Sequence, residues 1–254
     1  EEKLLCEGIH KGMICHVHPG THGELTFREA VARSCNVYFF RIAERIGHKN
    51  LIAEARRLNM HSSPSVQLPS PPGSPIVPDP DWKKKALGVG WTLEDTFNIS
   101  IGQGGLRQSP LQMACMIAKL ASNNLSFQPS ILYQDKKRPD ISTPLGITEE
   151  DRLTIIDGMH LATTDGTAHR GKIEGIDVAG KTGTGQWRNH NMKLNLAWFV
   201  GFAPLDNPEV AIAVLIEGII PQDKIQGGLT ATPVARDILK AYFERPGNRL
   251  ARSE

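Results

Sequence analysis

Gly175-Ile176-Asp177-Val178-Ala179-Gly180-Lys181-Thr182-Gly183-Thr184 decides between two folds. Its first eight residues fit the phosphate-loop pattern GxxxxGK[ST] at every position. A phosphate loop needs a strand before its first glycine and a helix starting near its lysine, whose N-terminal amides hold the phosphates. Here the β-branched Ile176 and Val178 lie between the two glycines, and Thr182-Gly183-Thr184-Gly185 after the lysine is poor helix material. The stretch reads instead as strand, Lys-Thr-Gly-Thr, strand. Lys181 then sits on a strand whose glycines admit close approach of another backbone.

The flanking sequence fits that reading. Residues 176–179, 196–202 and 210–217 are short runs of strand character. Thr232-Pro233 opens a last helix, expected to bury Val234, Ile238, Leu239 and Tyr242. The N-terminal part is helical. Thr26-Phe27-Arg28-Glu29 is a capping box for a helix to about Arg33. Asn36 can cap a second helix carrying Val37, Phe40, Ile42 and Ala43 and closed by Gly47, with a third over 48–60. Ser109-Pro110 starts a helix to about Ala121, and Thr148 one to about Ala162. Residues 62–80 hold seven of the 17 prolines, but the interleaved Val66, Leu68, Ile76 and Val77 predict an ordered surface loop, not a linker. Helices, then strands, then a helix predict an α+β fold with an antiparallel sheet.

Composition narrows the function classes. The 254 residues carry 29 Lys and Arg against 27 Asp and Glu, a net charge of +2. That leaves no electrostatic case for nucleic acid or an anionic membrane surface. Hydrophobic residues at 40% and charged residues at 22% are those of a folded domain. No apolar run approaches the roughly 20 residues of a membrane helix. Residue 1 is Glu, within what reads as mid-domain sequence, so the expectation is a chain that is soluble or separated from its anchor.

Ser34-Cys35-Asn36 and Lys181-Thr182-Gly183 are two of the three elements of the serine acyl-transferase set Ser-x-x-Lys, Ser-x-Asn and Lys-Thr-Gly. Other segments join them in order: Val37-Tyr38-Phe39-Phe40, Ile101-Gly102-Gln103-Gly104, Pro110-Leu111-Gln112-Met113-Ala114, Gly166-Thr167-Ala168 and Trp198-Phe199-Val200-Gly201-Phe202-Ala203-Pro204. With these the sequence resembles the transpeptidase domain of class B penicillin-binding proteins, most nearly their cell-elongation branch. The resemblance implies a penicillin-binding/serine transpeptidase fold, with an antiparallel sheet packed between helices, incomplete at its N-terminal side. Residues 1–254 would be the C-terminal majority of the domain, with a Cys/His-rich segment at 1–23.

The resemblance also implies a reaction: acyl transfer from the D-Ala-D-Ala end of peptidoglycan stem peptides, with β-lactams as mimics and no cofactor for catalysis. By motif, Ser34 would relay a proton towards the leaving nitrogen, and Asn36 would hydrogen-bond the bound peptide and help hold the catalytic lysine. Lys181 would supply positive charge for the substrate carboxylate, and the Thr182 and Thr184 hydroxyls would bind that carboxylate. The Thr184 N–H would be an oxyanion donor, and Gly183 would belong to the same substrate-binding strand. Cell-elongation proteins would be partners. The place would be the bacterial periplasm, at the outer face of the cytoplasmic membrane, with membrane contact only through an anchor outside this chain.

The third element is missing. The residue three before each lysine includes Gly8, Ile46, Met116 and Val178 and is never Ser, Thr or Cys, so the chain holds no Ser-x-x-Lys. The expectation is a chain inactive alone. The second reading is a non-catalytic scaffold or binding module of the cell-wall machinery.

Cys6, Cys15, His22 and Cys35 form a C-x8-C-x6-H-x12-C run. Three thiolates and an imidazole suit a closed structural Zn²⁺ site bracing the Ser-x-Asn loop from behind. A Cys6–Cys15 disulfide with Cys35 buried as a small apolar residue stands as the alternative. His16 and His18 read as solvated loop histidines, and Cys115 as core.

Overall fold

The computed structural model describes residues 2–8, 12–67, 75–132, 142–189, 192–220 and 223–245. Thr26 opens α1 (Phe27–Arg33) with the capping box that its sequence spells: Glu29 N–H donates to the Thr26 hydroxyl, and the Glu29 carboxylate accepts from Thr26 N–H. Before it, β1 (Leu4–Leu5) and β2 (Glu24–Leu25) form a short antiparallel pair. After it come α2 (Asn36–Arg57), α3 (Pro80–Leu87), α4 (Leu93–Ser100), α5 (Pro110–Ser122) and α6 (Glu149–Asp165). The C-terminal third holds β3 (Ala179–Asn189), β4 (Met192–Ala203), β5 (Val210–Glu217) and α7 (Thr232–Phe243).

The sheet is antiparallel in the order β3-β4-β5, with Lys181 opposite Val200 and Val200 opposite Ala213. Period-two alternation on β4 divides two cores. Ala197, Phe199 and Ala203 face Ala235, Leu239 and Phe243 of α7. Val200 and Phe202 face Ile117 of α5 and Ile156 and Met159 of α6. A sheet between helices is thus observed. Among the described residues the outer edges of β3 and β5 carry no strand. A third cluster, with Cys6, Cys15, Cys35, Phe40 and Phe97, gathers around α1, α2 and α4.

Several expectations need correction. Ile176 and Val178 precede the sheet, because the strand begins at Ala179 after a tight bridge between Ile173 and Ile176. Asn36 is the first helical residue and Cys35 the cap. The break expected at Gly47 is present: at φ 73° and ψ 158°, a conformation that favours glycine, it divides α2 into two helical segments. On α7 Val234 and Ile238 are exposed, and Ala235, Leu239 and Phe243 take the buried side. α3 and α4 were not anticipated. Asp79-Pro80 starts α3, with Asp79 accepting from Trp82 N–H, yet α3 buries no residue, so no apolar period marks it.

Small residues let α1 and α6 meet. A Cβ on Gly158 would lie 2.9 Å from Val31 Cβ, and one on Gly166 would strike Ala32 O and come within 2.7 Å of Ala162 Cα. This contact fixes the end of α1, where Thr167 N–H donates to Ala32 O at 3.1 Å. Gly166→Ala forces backbone on both sides to move, so a loss of about 2–3 kcal/mol is expected in urea unfolding. An unchanged midpoint at unchanged slope would contradict this packing.

Candidate active site

α1 ends at Ser34 in a left-handed conformation, φ 55° and ψ 45°. This costs a non-glycine residue on the order of 1 kcal/mol and persists only where the surroundings over-determine it. Ser34 N–H donates to Val31 O at 3.2 Å, Cys35 N–H donates to Ala30 O at 3.0 Å, and the Cys35 side chain is fully buried. The turn delivers Ser34 and Asn36 to one wall of a cleft of about 750 Å³.

β3 forms the facing wall. Lys181 Nζ donates to Ser34 Oγ at 2.8 Å and to its neighbour's carbonyl, Thr182 O, at 2.9 Å. The described residues pair no carboxylate with it. Burial pushes its pKa down from 10.5 to about 8. Thr182 Oγ donates to Thr167 Oγ at 2.8 Å, and Thr184 Oγ accepts from Gly227 N–H at 3.3 Å, which leaves the Thr184 hydroxyl proton free to donate. Gly227 has to be glycine: a Cβ would lie 2.5 Å from Gly183 O and Trp198 O.

Ser34, Asn36, Lys181, Thr182, Gly183 and Thr184 therefore line one cleft. Three further lining residues carried no assigned role in the sequence. His16, expected as a solvated loop histidine, has Nε2 3.0 Å from Arg33 O. Thr167 holds Thr182, and Gln103 Nε2 donates to Thr184 O at 2.9 Å. The signal for Gln103 was its flanking glycines, at φ 77° and 74°.

Behind the Ser34–Asn36 turn, the ligand atoms of Cys6, Cys15, His22 and Cys35 lie within 4.8 Å of one another. His22 Nδ1 is 3.5 Å from both Cys6 Sγ and Cys15 Sγ, and Cys15 Sγ is 3.9 Å from Cys35 Sγ. The shared Cys15–Cys35 hydrogen bond holds the Cys15 thiol well below its usual range and pushes Cys35 up. All four cysteines are free, so no Cys6–Cys15 disulfide forms here. The strand pair builds the cluster: Cys6 N–H donates to Gly23 O and Thr21 Oγ donates to Cys6 O.

A Ser-x-Asn turn bonded through lysine to a Lys-Thr-Gly strand across one cleft defines the serine acyl-transferase class. The chain belongs to the penicillin binding protein transpeptidase domain family, whose model matches residues 6–240. It is 29% identical over 216 residues to the peptidoglycan D,D-transpeptidase MrdA of Acinetobacter baumannii, covering 77% of this chain and 32% of the relative. It is 29% identical over 234 residues to PbpA of Mycobacterium tuberculosis, with 89% and 45% covered. The chain thus spans a third to under half of the curated relatives' length. In fold it is similar to Pseudomonas aeruginosa PBP2 solved with WCK 5153, at TM-score 0.78 and 24% identity over 97% of this chain and 57% of that one. No described helix is long and apolar enough to cross a membrane.

Proposed function

We propose that residues 1–254 are the C-terminal majority of the transpeptidase domain of a peptidoglycan D,D-transpeptidase, which cross-links stem peptides by acyl transfer from D-Ala-D-Ala and is blocked by β-lactams. The observation that carries this is the Lys181–Ser34 hydrogen bond joining the two motifs over the cleft. The stem peptide lies extended along the open edge of β3, adding a strand to it. Its carboxylate meets Lys181 and the Thr184 hydroxyl. The Thr184 N–H serves as an oxyanion donor, a contact whose loss typically costs about 10²–10³ in rate. Ser34 passes a proton, supplied through Lys181, towards the leaving nitrogen, and Asn36 hydrogen-bonds the peptide. The attacking serine belongs to a Ser-x-x-Lys element outside these residues.

The domain works outside the cytoplasm, in the bacterial periplasm at the outer face of the membrane. Its partners are cell-elongation proteins, a reading supported by the likeness to Helicobacter pylori PBP2, solved in complex with MreC (TM-score 0.70, 25% identity, 88% of this chain and 41% of that one). The Cys6, Cys15, His22 and Cys35 group holds a structural Zn²⁺. The absence of Ser-x-x-Lys from the 254 residues favours, as second reading, a non-catalytic scaffold of the same fold.

A fluorescent penicillin separates these. The isolated chain is expected to take no covalent label, because no serine with a lysine one helical turn on is present. The full-length protein is expected to label under the enzymatic reading and to stay dark under the scaffold reading. Stoichiometric labelling of the isolated chain would overturn the assignment of the nucleophile.

A further inference from the structure

The open edge of β3 is not bare. Thr184 pairs with Ala197 on β4, yet its carbonyl accepts from Gln103 Nε2, on the side away from β4. In an antiparallel ladder the N–H and C=O of one residue point the same way, so both polar groups of Thr184 face the cleft. An extended peptide added to this edge uses both: it accepts from Thr184 N–H and donates its own N–H to Thr184 O. The second place is already taken. Thr182 O, the next outward carbonyl, is likewise taken by Lys181 Nζ.

The position of Gln103 is built, not incidental. Its backbone N–H donates to Asn98 O at 2.8 Å, which ties it to the last turn of α4. Left-handed glycines on either side, Gly102 and Gly104, turn the chain so that the side chain reaches across to β3. A side-chain amide is chemically a copy of the peptide N–H donor, and a shared acceptor admits only one of the two in line.

We infer that Gln103 is a positioning residue that stands in for the backbone N–H of an incoming peptide and must swing off Thr184 O before the peptide can register on β3. It keeps the edge carbonyl satisfied while the cleft is empty and reserves that place for ligands that bring a donor of their own. This rests on the peptide reading given above. Because only the fraction of molecules with Gln103 displaced can bind in register, apparent affinity falls by that fraction. Removing the amide therefore strengthens binding, opposite in sign to removing a ligand contact.

The test titrates acyl-L-Lys-D-Ala-D-Ala into the 254-residue chain, wild type and Gln103→Ala, with association and dissociation rates measured separately. One displaced neutral hydrogen bond corresponds to about 2- to 10-fold in affinity. Gln103→Ala is expected to bind tighter by that factor, through faster association at unchanged dissociation. Gln103→Asn, too short to reach Thr184 O, is expected to behave the same and guards against a folding effect of the alanine. Equal or weaker binding by both variants, with the wild type binding, overturns the inference and leaves the peptide reading standing. No binding by any of the three overturns both.

Discussion

Lys181→Met is expected to weaken binding of acyl-L-Lys-D-Ala-D-Ala about 10- to 100-fold while making the folded chain more stable near pH 7. The loss follows from the cleft. Lys181 is the cation that bridges its two walls, and a hydrogen bond to a charged group is worth about 1.5–3 kcal/mol. The gain follows from burial. A lysine held at about 8 against an ordinary 10.5 disfavours folding while it is charged. The lowered value means that the folded state binds fewer protons than the unfolded state between about pH 8 and 10.5. Stability therefore rises with pH across that window, and the full cost is present below pH 8. Methionine removes it, for an expected gain of about 1–3 kcal/mol in urea unfolding at pH 7. Part is offset because Ser34 Oγ and Thr182 O lose a donor.

Peptide affinity has the opposite pH sign to stability. The peptide carboxylate is ionised throughout, so affinity is expected to be level below pH 8 and to fall about tenfold per unit well above it. Methionine in place of Lys181 abolishes that slope. Undiminished affinity at pH 9.5, or in Lys181→Met, would show that the peptide carboxylate is met elsewhere.

The strands and both motifs were legible because each rests on local chemistry. The glycines after Lys181 forbid a helix, and the Val210–Glu217 run has no other use than a strand. The capping box at Thr26 is two hydrogen bonds between residues three apart, and Ser109-Pro110 marks a helix start by its cap and its proline ring. What failed needs tertiary knowledge. Val234 and Ile238 are as apolar as Leu239, and only the packing of α7 on β4 says which lie inward. Gln103 and Thr184 are 81 residues apart, and neither carries a sign of the other. Ser34 was legible as half of a motif, but its left-handed backbone was not: nothing in Arg33-Ser34-Cys35 demands it until Cys35 is drawn into the cluster behind.

That cluster carries the other large effect. With zinc–sulfur bonds of about 2.3 Å, tetrahedral geometry sets sulfurs about 3.8 Å apart. The 3.9 Å between Cys15 and Cys35 and the 3.5 Å from His22 to two thiols already have the dimensions of that cage. One of its corners, Cys35, is the middle residue of the Ser-x-Asn turn, so cluster and cleft share a backbone. Chain purified without chelator is expected to carry about one zinc. An ion bound to the folded state alone at 100 times its dissociation constant contributes about 2.7 kcal/mol, or about 5–10 °C in melting for a chain of this size. Chelation is expected to remove that much and, by freeing the Ser34 turn, to weaken peptide binding about 10-fold or more. Cys35→Ser should reproduce both effects, whereas Cys115→Ala, in a buried thiol on α5 away from the cleft, should leave peptide binding unchanged. A Cys6–Cys15 disulfide found by mass spectrometry, or a metal-free chain whose melting ignores chelator, would replace the zinc brace with ordinary core packing. The left-handed Ser34 would then be held by Cys35 burial and the α1–α6 contact alone.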